Sequence, residues 1–83
     1  MRRPQGFATF RAKMNGRIAI TVNGEAREIA AGASVAALLA EIGLDTRKVA
    51  VERNEEIVPR STYAAVALTP GDRLEIVHFI GGG

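Results

Sequence analysis

The chain contains no cysteine and a single histidine, His78. Without cysteine there is no disulfide framework and no thiolate to serve as nucleophile or metal ligand. With only one histidine, a structural zinc site is not expected either. No apolar run approaches the roughly 20 residues needed to cross a membrane as a helix. No linker or internal repeat divides the 83 residues, which suits one small domain that buries about 60 % of its unfolded surface. A chain with no disulfides is compatible with a reducing compartment, and the expected location is cytoplasmic.

The usual constellations of an enzyme are missing as well. Ser34 and Ser61 are the serines a Ser-His-Asp arrangement would need, but neither sits in a nucleophile-elbow motif. His78 reads most simply as a partly exposed residue at a strand end. Glu55-Glu56 reads as a solvated acidic turn, and Arg47-Lys48 as cations that offset a helix dipole. No basic stripe interleaved with aromatics is present, so no nucleic-acid partner is expected. The chain is not expected to be an enzyme.

Acid is absent from one place, the first thirteen residues. MRRPQGFATFRAK carries four of the eleven Lys/Arg and none of the nine Asp/Glu, so residues 14–83 have a net charge of −2. The basicity therefore belongs to a leader, residues 1–13. Such a leader can be an arm that touches nucleic acid or membrane, or a targeting segment, although it lacks an apolar stretch. The plainer expectation is a disordered extension, since Met14 itself begins a plausible protein and termini are loose unless tied down.

From Met14 the pattern is regular. Ile18, Ile20 and Val22 fall two apart, as on one face of a strand. Asn23-Gly24 follows, the pair favoured where both central residues of a two-residue hairpin turn take positive φ. A second strand over about 25–30 returns antiparallel. Ser34 is a good N-cap, and Val35, Leu38, Leu39 and Ile42 follow helical spacing. Gly43 suits a left-handed helix stop, with Leu44 packing back, for a helix of about ten residues. Val49 and Val51 alternate with Ala50 and Glu52. Ile57-Val58 begins a short pairing limited by Pro59. Residues 60–68 read as a helical turn or a loop anchored by Tyr63, Val66 and Leu68, and TPGD as a turn. RLEIVHFI alternates as a last strand, with Leu74 and Ile76 on one side and Glu75 and Val77 on the other.

One amphipathic helix must bury its stripe on one face of one sheet. Strand, strand, helix, strand, short strand, strand predicts an α+β, β-grasp (ubiquitin-like) fold. Its mixed sheet has four to five strands, with the last inserted beside the first. The domain spans 14–80 and is followed by a glycine tail, 81–83.

That tail, Gly81-Gly82-Gly83, offers no Cβ over about 10 Å of extended chain. It cannot act as a phosphate loop, because such loops lead into a helix whose amides complete the site. It can thread a channel too narrow for side chains and present an α-carboxylate, of intrinsic pKa about 3.5, to another enzyme.

VNGE, SVAALLAEIGL, VAVERNEEIVPRSTY, GDRLEIV and HFIGGG together resemble the sulfur carriers of thiamine biosynthesis, the ThiS family. The resemblance covers 14–83. It implies that an adenylating enzyme, using ATP and magnesium that the carrier itself does not hold, activates Gly83. Sulfur derived from cysteine through a desulfurase then replaces AMP to give a thiocarboxylate, and thiazole synthase takes up that sulfur. Gly82 and Gly83 match the family's terminal pair, already exposed without proteolysis, and Gly81 is an additional tail glycine. Alternation places Val77, and by continuation Phe79, on the face away from the helix. With Ile80 these are the expected docking residues, the other reading of Phe79 being ordinary packing back onto the sheet. Three alternatives stay open. A molybdopterin-type carrier is disfavoured by the lack of prolines in VHFIGGG. A ubiquitin-like protein modifier and an inert binding module are the others.

Overall fold

The computed structural model describes residues 16–79. Strands β1 (Arg17–Val22) and β2 (Glu25–Ala30) form a hairpin closed by Asn23 and Gly24, whose φ values of 52° and 86° are those the two-residue turn demands. Helix α1 (Val35–Ile42) follows, at eight residues shorter than the spacing alone suggests. Strands β3 (Val49–Arg53), β4 (Glu56–Val58) and β5 (Arg73–His78) complete one five-stranded sheet in the order β2-β1-β5-β3-β4. β1 and β5 are parallel and the other pairs antiparallel. This is the β-grasp arrangement, with α1 carrying the chain from β2 across one face to β3.

The helix is bounded by the residues that signal it. Ser34 Oγ accepts the Ala37 amide at 3.0 Å. Beyond Ile42, Gly43 takes φ 94°, its amide donates to Ala40 O, and the Leu44 amide reaches back to Leu39 O at 2.8 Å. Those two bonds form a Schellman stop. The amides of Val35 and Ala36 donate to Val66 O and Tyr63 O of the loop that follows β4. The helix N-terminus is thereby fully engaged, and it offers no cradle for a phosphate.

Val35, Leu38 and Leu39 of α1 are buried against Ile20, Ile29, Val49, Val51, Val58 and Leu74 of the sheet, with Tyr63 and Leu68 sealing one side. Each large side chain so buried contributes on the order of 2 kcal/mol. The anchors expected in residues 60–68 therefore hold, on a 3-10 turn (Arg60–Thr62) whose Arg60 donates to Thr46 O and Val49 O.

Two sequence expectations change. Glu56 is not part of an acidic turn tip. The register Arg53↔Glu56 closes the β3–β4 hairpin in two residues, Asn54 and Glu55, and makes Glu56 the first residue of β4. Arg47 does not serve the end of α1. It lies in a 3-10 turn (Thr46–Lys48) and makes a two-pronged contact with Asp45, Nε to Oδ1 at 3.1 Å and Nη2 to Oδ2 at 3.0 Å. Hydrogen bonds from the Arg47 side chain and then its amide hold the Asp45 carboxyl down to about 2.

Glu55 carries φ 72° at the second turn position, where glycine is preferred. Among the described residues its ion pair is a 4.0 Å contact with Arg73 between two exposed side chains, worth little. Glu55→Gly is expected to raise stability by about 0.5–1 kcal/mol, because the left-handed conformation costs a non-glycine residue roughly 1–2 kcal/mol, partly offset by the greater freedom of unfolded glycine. Chemical denaturation of the two proteins checks this, and an unchanged or lower midpoint would contradict it.

Candidate functional site

Among the described residues nothing covers the face of the sheet opposite α1, and its composition varies from end to end. On β1 and β2 it presents Ala19, Thr21, Ala26 and Glu28, small or polar residues. On β5, β3 and β4 exposed aliphatic side chains stand among the charged ones of Arg73, Glu75 and Glu52. Val77 is 60 % exposed and Ile57 77 % exposed. Ala50 lies directly opposite Val77 across the β3–β5 ladder, and Ile57 lies opposite Glu52. Glu52, Glu55 and Glu75 complete the lining of this shallow hollow. Glu52 also stands directly opposite Glu75. Like charges in register across two strands work against the sheet.

Beyond His78 the strand pairing continues for one more residue, with the Phe79 amide donating to Lys48 O at 2.8 Å. Phe79 shares strand parity with Val77 and is 45 % exposed. Of the expected docking residues, the structure thus brings Val77 and Phe79 onto one surface at the exit of β5. Ile80, Gly81, Gly82 and Gly83 lie outside the described residues, as does the leader 1–13. Ile57 was not anticipated as part of this surface. The available signal was the alternation of Ile57 with the buried Val58.

No group of three or more His, Cys, Asp or Glu side chains that could hold a metal occurs among the described residues. His78 is exposed at the end of β5 opposite Val49, and Ser34 is committed to its helix cap.

The polar node that sequence reasoning missed is Asp72, 4 % exposed. Its Oδ2 accepts Arg53 Nε at 2.8 Å and the Thr69 amide at 2.8 Å, while Oδ1 accepts Thr69 Oγ1 at 3.0 Å and Asn54 Nδ2 at 3.1 Å. Burial pushes the carboxyl up, but the Thr69 amide, Arg53, Asn54 and the Thr69 hydroxyl together outweigh it and hold it below the ordinary carboxylate value. Asn54 Oδ1 in turn accepts the Arg73 amide at 2.9 Å. The node thus fastens the β3–β4 turn to the start of β5. It is structural, and it fixes where the strand that leads to the tail begins.

The model of the ThiS family matches residues 20–83, from within β1 to the last glycine. The chain belongs to the ThiS family. The Bacillus subtilis sulfur carrier protein ThiS is 50 % identical over 46 residues, 55 % of this chain and 70 % of that protein. The crystal structure of the thiamine biosynthesis protein ThiS from Geobacter metallireducens superposes with a TM-score of 0.68 at 32 % identity, covering 80 % of this chain and 100 % of that one. A thiazole synthase from Paramagnetospirillum magneticum is 62 % identical over 64 residues, 77 % of this ThiS-family chain. Those residues are 20 % of that thiazole synthase, so the chain spans about a fifth of such relatives. A ThiS-like segment therefore also occurs within proteins named for thiazole synthesis.

Proposed function

We propose that this chain is the sulfur carrier of thiazole formation in thiamine biosynthesis, a cosubstrate rather than an enzyme. The observation that carries the reading is the family match through Gly83, which includes the glycine tail as well as the fold. In this reading the Gly83 carboxylate attacks the α-phosphorus of ATP in an adenylating partner that holds the magnesium, and pyrophosphate leaves. A sulfide-level nucleophile, released by a thiol reductant from the persulfide that a desulfurase forms with cysteine-derived sulfur, then attacks the acyl carbon. The C–S bond forms as the bond to AMP breaks, leaving a thiocarboxylate whose sulfur passes to thiazole synthase. The match to segments of thiazole synthases supports that last partner. The chemistry needs a bare main-chain end and no side-chain catalyst.

Intact-mass spectrometry tests it. Incubation with a ThiS-adenylating enzyme, ATP and a sulfur source is expected to replace one oxygen of Gly83 by sulfur. An unchanged mass would favour an inert module, and isopeptide adducts on lysines of other proteins would favour a modifier.

The outer face of β3, β4 and β5 is the docking surface in this scheme. Exposed aliphatic side chains on this face supply anchors, and the Glu52, Glu55 and Glu75 rim calls for cations on the partner. Replacing Ile57 and Val77 together by threonine, which keeps the β-branch, is expected to raise KM for the carrier roughly tenfold with the melting temperature unchanged. KM for the unaltered protein should also climb with ionic strength as the rim is screened. Steady-state adenylation assays check both, and a salt-independent KM would remove the rim from the interface.

A further inference from the structure

β1 ends before β5 does. Their ladder covers Thr21↔Arg73 and Val22↔Leu74, after which the chain reverses at Asn23 and Gly24 while β5 runs on to His78. On its other flank β5 stays paired with β3 from Leu74↔Arg53 to His78↔Val49. On the β1 flank a side chain takes over. In a parallel ladder every second residue straddles one residue of its neighbour, donating its amide to the residue before and accepting from the residue after. Thr21 opens this pattern by donating to Asp72 O at 3.0 Å, and Asn23 continues it by donating to Leu74 O at 2.8 Å. The return bond, from the Ile76 amide, goes not to a main-chain carbonyl but to Asn23 Oδ1 at 2.7 Å, and Asn23 Nδ2 donates to Ile76 O at 3.2 Å. A carboxamide has the carbonyl and the N–H donors of a peptide group. Here it stands in for the next peptide of β1 after the main chain has turned away. The turn alone does not demand an amide, since Asp-Gly and Gly-Gly close it as well.

We propose that Asn23 is a positioning residue for the carrier's reaction. By tying down Ile76 on the open flank of β5, it holds residues 77–79, and so the root of the glycine tail, in the direction the adenylating partner accepts. This inference rests on the carrier reading above.

The test uses the full chain with Asn23→Gly, which keeps the positive φ and loses both side-chain bonds, and Asn23→Asp, which keeps the acceptor but sets its second oxygen against Ile76 O. Amide hydrogen exchange followed by NMR is expected to be at least about tenfold faster at Ile76 in Asn23→Gly, with Leu39 and Val51 unchanged. In adenylation assays Asn23→Gly is expected to raise KM for the carrier about tenfold with kcat little altered, because a looser strand end must be ordered on binding. Asn23→Asp should fall between it and the parent, and carries both measurements if Asn23→Gly does not fold. Unaltered exchange at Ile76 would overturn the clamp. Faster exchange with unaltered KM would overturn the positioning role. If the parent chain accepts no AMP while the exchange contrast persists, it is the carrier reading that fails, and the role built on it falls with it.

Discussion

Gly82→Ala is expected to slow adenylation of Gly83 on the order of a hundredfold and to leave the melting temperature unchanged. The added methyl has no fold contact to disturb if the tail acts outside the domain, so the loss must arise in the partner. In the proposed carrier role the partner's passage admits residues without side chains and would be closed to a Cβ, so the reacting carboxylate would be seated wrongly. Displacement by about 1 Å is enough for a loss of that size. Because the defect lies next to the reacting atoms, kcat should fall more than KM rises. Gly81→Ala, one residue further away, should be milder. Single-turnover adenylation of the three proteins checks the order, and parent-like rates for Gly82→Ala would rule out a narrow passage.

Asp72→Ala is expected to cost about 2–3 kcal/mol, lowering the melting temperature by roughly 10 °C or more. The substitution removes the acceptor for Arg53, Asn54 and both donors of Thr69 at once. It leaves the Arg53 guanidinium without its carboxylate and frees the turn that starts β5. The same residue predicts a pH dependence. Its carboxyl is held below its ordinary value in the folded chain. Its stabilising contribution is therefore complete above the unfolded pKa of about 3.9 and is lost as pH falls through the lower folded value. Stability measured by denaturation across the acid range should therefore fall less steeply for Asp72→Ala than for the parent. Parallel slopes would place the acid sensitivity elsewhere.

What could be read from the sequence was local. Asn23-Gly24, the Ser34 cap, the Gly43-Leu44 stop and the alternation of Val49 and Val51 each depend on residues within a few positions, and each appears where its spacing places it. The fold followed because one apolar stripe on one helix admits few arrangements. The Asp72 node was hidden, because TPGD announces a turn while Arg53 and Asn54 arrive from 19 and 18 residues away. Arg47 was misassigned because a cation after a helix suits the dipole, yet Asp45, two residues off, offered a better-matched partner. Of the candidate site, Val77 and Phe79 were visible as an exposed row, but Ile57 joins them only once β4 is known to flank β3. Asn23 could be seen as a turn residue and not as a clamp, since Ile76 lies 53 residues downstream.

The strand that leads to the glycines is β5, which sits in the middle of the sheet with β1 on one flank and β3 on the other. In the proposed carrier role, a partner that draws on the tail would load β5 along its length. Under such shear the load is shared between the β3 ladder and the shorter pairing with β1 that Asn23 extends, whereas an edge strand would have one neighbour alone to resist with. In that proposed role, a pull on the tail would therefore be borne by two neighbouring strands rather than one.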